Sequence, residues 1–169
     1  MKATLRAVTA ALLCLAGPAQ AAAIQACDLT VDVTDQDPKG TNLRDAPGGK
    51  IVGVLKLAGT GDDWIEVHVI GQSGDWLLID KATQMGDDET TIFTGQGYMH
   101  VSVLGSYGLW NGMPIWSDHD EKSPLVTAEA AGDQDVKFLG CWGEFARIRT
   151  KQGTGWTKTL CLNGRTTCA

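Results

Sequence analysis

The usual signs of catalysis are scarce in this sequence. It holds only three histidines, His68, His100 and His119, and no Gly-x-Ser-x-Gly elbow that would expose a nucleophilic serine. Short C-x₂₋₄-C pairs, the common zinc-holding spacing, do not occur. The segment Asp35-Gln36-Asp37-Pro38-Lys39-Gly40 begins like a calcium loop, but Lys39 stands at a ligand position and Ala46 stands where the closing glutamate belongs. Neither a metal nor another cofactor is therefore expected. The acids around Asp118 are too dense to predict the raised pKa of a glycosidase acid, so no enzymatic activity is expected either. Basic residues number 14 against 20 acidic ones and are dispersed, which argues against nucleic acid as a partner. Beyond the first residues no apolar stretch approaches the roughly 18 residues of a membrane span. No amphipathic helix of three turns is legible, and only Thr127 to Ala131 is compatible with a brief one.

What the chain does have is glycine, 21 of 169 residues, about 12% against a usual roughly 7%. It also has six tryptophans against five Phe and Tyr together. That composition suits short strands joined by turns. Residues 1–21 read as an export signal: Lys2 and Arg6, an apolar run from Ala7 to Ala16, and the small-residue site Ala19-Gln20-Ala21. Leu12-Leu13 before Cys14 does not make a lipobox. Cleavage after Ala21 would leave 12 basic and 20 acidic residues, a net charge of −8. It would also leave four cysteines, Cys27, Cys141, Cys161 and Cys168, which in an exported chain most simply form two disulfides. Three pairings are open. The expected one joins Cys161 to Cys168 across a short loop and Cys27 to Cys141, tying the N-terminal segment to the second half. A periplasmic or secreted location follows.

Apolar and polar residues alternate with the period of half-buried strands. Ile65, Val67 and Val69 alternate with Glu66 and His68; Met99, Val101 and Val103 alternate with His100 and Ser102; Ala146, Ile148 and Thr150 face away from Phe145, Arg147 and Arg149. The chain also repeats itself. Residues 69–79 lie over 138–148 without a gap, each copy running apolar pair, Gly, two-residue tip, Gly, acid, aromatic, strand. Residues 97–104 match 155–162 at a shorter offset, so the first copy carries an insertion within Lys81 to Gly95. The expected fold class is all-β: two small barrels in tandem, stapled by disulfides.

Thr41-Asn42-Leu43-Arg44-Asp45-Ala46-Pro47-Gly48 resembles the opening element of the bacterial SH3 (SH3b) domain family, Leu-Asn-Val-Arg-x-x-Pro-x. Gly74-Asp75-Trp76 is similar to that family's Gly-x-Trp before a strand, and Gly155-Trp156-Thr157 to its closing Gly-Trp-Val. The second copy opens on Met113-Pro114-Ile115-Trp116-Ser117-Asp118, without the Asn-x-Arg. The resulting organisation is an N-terminal segment over 22–34, an SH3b-like domain over 35–106, and a second over 107–169 with a disulfide-closed tail.

The resemblance implies a noncatalytic module that recognises cell-wall peptide, peptidoglycan or an envelope protein, with aromatic side chains as the floor of a groove. Trp76, Phe145, Tyr98 and Trp156 recur at matching positions and read as cross-strand aromatics that hold the sheets. Trp116 and Trp142 sit in turn-like contexts and are the candidate binding residues. Asp118, Asp120 and Glu121 follow Trp116, and Asp62-Asp63 precede Trp64, so indole and carboxylate together would suit an amine-bearing peptide. A periplasmic inhibitor or assembly factor fits the size, charge and disulfides as well.

Overall fold

Period-two alternation becomes strands over most of the chain. The computed structural model describes residues 23–58, 62–132, 134–162 and 167–168; the export signal read over 1–21 lies outside the described residues. Fourteen strands follow in order. The first seven are β1 (Gln25–Val33), β2 (Thr41–Arg44), β3 (Ile51–Leu55), β4 (Trp64–Ser73), β5 (Trp76–Met85), β6 (Thr90–His100) and β7 (Leu104–Gly105). The rest are β8 (Gly108–Leu109), β9 (Ile115–Trp116), β10 (Leu125–Thr127), β11 (Lys137–Trp142), β12 (Phe145–Thr150), β13 (Gly153–Thr157) and β14 (Leu160–Cys161). The chain is all-β: among the described residues the only helical turn is the 3₁₀ segment Val101–Val103. No described helix is long and apolar enough to cross a membrane.

A seven-stranded sheet runs β3-β2-β6-β5-β4-β1-β7 and curls into a half-barrel. A five-stranded sheet runs β10-β9-β13-β12-β11, and β14 pairs with β8. The internal repeat reappears as strand register. Val69 pairs with Ile79 and Gly71 with Leu78 across a bulge, just as Phe138 pairs with Ile148 and Gly140 with Arg147 across another. Gly97 pairs with Ile79 and Tyr98 with Leu78, matching Gly155 with Ile148 and Trp156 with Arg147. Arg44 pairs with Tyr98 where Trp116 pairs with Trp156, so Trp116 takes the place of the arginine in the first copy. The insertion only prolongs one hairpin: Lys81 to Gln84 of β5 pair with Thr94 to Thr90 of β6.

Three local expectations change. The two-residue tips are Gly74-Asp75 and Gly143-Glu144, because Ser73 pairs with Trp76 and Trp142 with Phe145. Gly74 and Gly143 have φ of 59° and 53°, and a glycine at the first tip position is what a II′ hairpin turn requires. The residues at 72–73 and 141–142 are therefore strand, and Gly71 and Gly140 mark bulges. Alternation through Val101 and Val103 does not extend β6. The His100 Nδ1 accepts from the Ser102 amide at 3.3 Å and Val101 N donates to Asp75 O at 2.8 Å, which turns the chain out of the ladder. Thr127 to Ala131 form no helix: Thr127 belongs to β10, and Ala130 exchanges backbone bonds with Gly112 and Met113. Sheet pairing outweighs a weak local preference there.

One contiguous core holds the fold. Val31, Val67, Leu77, Ile79 and Met99 are fully buried in the first half, and Ile115, Ile148 and Leu109 in the second. β1 joins the halves. It is antiparallel to β4 and to β7, and at its start Asp28 N donates to Gly143 O at 2.8 Å while Gly143 N donates to Ala26 O at 2.9 Å. Residues 25–33 thus belong to the first sheet and also touch the second hairpin. The disulfides join Cys27 to Cys141 and Cys161 to Cys168, the pairing expected from the sequence, and disulfides fit an oxidising compartment. Beside the first, the Cys141 amide donates to Gln72 Oε1 at 2.7 Å. His68 pins three strands, with Nδ1 2.7 Å from Asp80 and Nε2 3.0 Å from Asp28.

In the chain-entropy account a cross-link stabilises more when it closes a longer loop. Replacing Cys27 and Cys141 together by serine, a pair 114 residues apart, is expected to cost about 5 kcal/mol. The same change at Cys161 and Cys168, 7 residues apart, is expected to cost about 2 kcal/mol. Urea denaturation of the two double variants against the parent measures both, and an equal loss would contradict the assignment of Cys27–Cys141 as the principal tie.

Candidate functional site

The outward face of the second sheet carries a cluster of aromatic side chains. On β9, β12 and β13 the residues Ile115, Ala146, Ile148, Gly155 and Thr157 are buried, so strand alternation sends Trp116, Phe145, Arg147 and Trp156 to the other side. Trp116 meets Phe145 edge-on with centroids 5.8 Å apart, and the Arg147 guanidinium lies 5.9 Å from the Trp156 ring centre. Trp142, cross-strand from Phe145, is 46% exposed. Trp116 and Trp142 therefore flank Phe145 on one surface.

The turn after β9 delivers a residue that the sequence reading passed over. His119 lies 4.3 Å from the Trp142 ring and 5.3 Å from the Trp156 ring, between the two indoles. Backbone bonds from Ser117 to Pro124 and from Ser123 to Asp120 hold the turn. Asp120 accepts from the Lys122 amide at 2.9 Å, and Asp118 accepts from the His119 amide at 2.8 Å and faces its Nδ1. The Asp118 carboxyl is held below its usual range by the His119 amide first, and then by the imidazole. Asp118 and Asp120 thus shape the turn that places His119, while their exposed carboxylates remain at the edge of the aromatic surface. The only sequence signal for His119 was its spacing of three residues from Trp116.

Lys158 ties the same turn to the Phe145 ring. Its Nζ is 2.8 Å from Glu121 and 3.1 Å from Glu144, and it sits 4.8 Å from the Phe145 ring centre. The two carboxylates raise its pKa and keep it charged. The first sheet repeats this arrangement with other residues: Arg44 lies 5.7 Å from the Trp76 ring centre and His100 meets Trp76 edge-on at 5.2 Å. By register, Arg44, Trp76 and His100 stand where Trp116, Phe145 and Lys158 stand in the second. Trp110, in the turn after β8, is 43% exposed and stands outside these ring contacts.

A different kind of group lies under the connection between the sheets. Asp32 on β1 is 1% exposed, and among the described residues neither of its carboxyl oxygens has a hydrogen-bond partner. Its neighbours across the ladder are Glu66 and Gly105. Burial, and then the charge of Glu66, push its pKa up to about 8, and the Tyr107 backbone offsets this only in part. Glu66 is raised as well, by burial first, although its carboxylate accepts from the Trp64 indole at 3.0 Å. His68 is raised because Asp28 and Asp80 outweigh its burial. Comparison with protein-family models, curated proteins and solved structures finds no match for the chain, so the site is read from its own chemistry.

Asp32 gives a signed pH dependence. The folded chain holds a proton that the unfolded chain releases near 3.8, so between about pH 4 and 8 folding binds protons and stability falls as pH rises. The slope contributed is at most about 1.4 kcal/mol per pH unit. Asp32→Asn, which keeps the neutral shape, is expected to flatten the stability profile across that window and to raise stability at its alkaline end. Urea titrations at a series of pH values would refute this if the variant kept the parent slope.

Proposed function

We propose that the protein is an exported, noncatalytic binding module built of two SH3b-like barrels, and that it holds an extended cell-wall peptide on the aromatic surface of the second. The observation that carries this reading is Trp142, a large indole 46% exposed yet fixed on one face by His119. A rigid exposed indole bordered by further aromatics is the kind of anchor that dominates binding surfaces. The matching strand registers of the two halves support tandem barrels, and the opening element Thr41 to Gly48 supports the SH3b comparison. Asp118, Asp120, Glu121 and Glu144 around the surface favour a ligand with an ammonium group, as stem peptides have. Among the described residues every cysteine is held in a disulfide, which favours a periplasmic or secreted setting.

A protein partner in the envelope, as for an inhibitor or assembly factor, is the second reading. It is favoured by β3, an edge strand of the longer sheet on which Ile51, Val52 and Val54 are each at least half exposed. Such an edge is a template for strand addition. Purified sacculi separate the readings. The disulfide-bonded protein is expected to sediment with them, and Trp116→Ala combined with Trp142→Ala to weaken this at least about tenfold. Absence of sedimentation, with a stoichiometric protein recovered from an envelope extract, would replace the first reading by the second.

A further inference from the structure

A cavity lies in the first half, away from the aromatic surface just described. It measures about 530 Å³, within the range of sites for small ligands. The segment between β1 and β2 forms one side and the end of β3 with the start of β4 the other. Leu55 and Ile65, both buried, contribute apolar lining, and the rings of Trp64 and Tyr107 contribute two larger faces. The Trp64 indole donates its N–H to Glu66 at 3.0 Å. Gly40 allows the wall to close in: a Cβ there would come within 2.4 Å of the Leu55 carbonyl oxygen.

The charges at this cavity are unequal. Asp35, Asp37 and Asp63 line it against one lysine, Lys56. Asp35 is oriented by bonds from the Asp37 amide at 3.1 Å and the Thr41 hydroxyl at 3.2 Å, and Asp63 by Gln84 at 2.9 Å. An apolar pocket with aromatic faces and three fixed carboxylates complements an aliphatic stem that ends in a cation. It disfavours a carboxylate, which would meet three like charges, and a purely neutral chain forgoes the Coulombic gain.

We propose that this cavity is a second binding site, one that takes the ammonium-bearing aliphatic side chain of a peptide. Asp35 and Asp63 engage the ammonium, and Trp64, Tyr107 and Leu55 receive the methylene stem. The site is independent of the aromatic surface around Trp142, so the failure of either leaves the other standing.

The test uses the full disulfide-bonded protein and three capped amino acids of similar length: Nα-acetyl-lysine methylamide, Nα-acetyl-norleucine methylamide and Nα-acetyl-glutamate methylamide. Followed by amide NMR, the lysine probe is expected to give saturable shifts at Gly40, Trp64 and Tyr107. The norleucine probe is expected to bind about tenfold more weakly and the glutamate probe weaker still, with the lysine affinity falling at high salt. Asp35→Asn with Asp63→Asn is expected to remove most of the lysine preference. Equal binding of lysine and norleucine probes by the parent protein, or no saturable shift at these residues, would overturn the proposal without relying on any variant.

Discussion

The rest of the structure depends on a single strand that serves two sheets. β1 is paired along its length with β4 and at its end with β7, and its first residues reach the tip of the β11–β12 hairpin through two backbone bonds to Gly143. The bulge between Ala26 and Leu29 lets one strand do both, since a bulge bends a strand and re-aims what precedes it. Cys27–Cys141 then fixes the junction covalently, and Gln72 Oε1 accepts from the Cys141 amide beside it. Gln72 and Cys141 are equivalent positions of the internal repeat. The two hairpins therefore meet through the same part of each copy. A unit of about 60 residues alone buries too little surface to be more than marginal, and this shared seam joins both sheets in one core.

The repeat was the most legible part of the sequence because register follows directly from it. An ungapped match of residues 69–79 with 138–148 requires the same bulge and the same hairpin tip in both copies, and Gly71 with Gly140 and Gly74 with Gly143 meet that requirement. The shorter downstream offset identified the prolonged hairpin for the same reason. Alternation was less informative where the chain leaves a ladder. Val101 and Val103 keep the strand period, yet one imidazole bonded to the Ser102 amide turns them into a 3₁₀ segment. Trp116 and Trp142 were legible as candidates but were read as turn residues, whereas they end the strands β9 and β11, and their relation to each other was not legible. It runs through Phe145 and through His119, whose position depends on a turn assembled from Asp118, Asp120 and Ser123.

Asp32 was not legible at all. In sequence it is one acid in an alternating strand, and in the fold it lies between β4 and β7, opposite Glu66 and Gly105. The carboxyl faces Glu66 across the ladder and so has no cation to pair with. Protonation resolves the conflict where a salt bridge would in other settings. Tyr107, two residues beyond the Gly105 that pairs with Asp32, also lines the first-half cavity.

Net charge sets the sign of what can approach both sites. The whole chain carries −6, and this excess is not uniform in effect. At the aromatic surface Lys158 is paired with Glu121 and Glu144, while Arg147 lies over the Trp156 ring. At the cavity three aspartates stand against one lysine. Long-range attraction would bring a cationic ligand toward either surface, but within a screening length only local geometry discriminates. The two sites then differ in kind. One is an open platform of rings suited to an extended segment. The other is a half-open pocket of a size for a single side chain, and under the two proposals a peptide carrying both an extended backbone and an ammonium group would suit each of them.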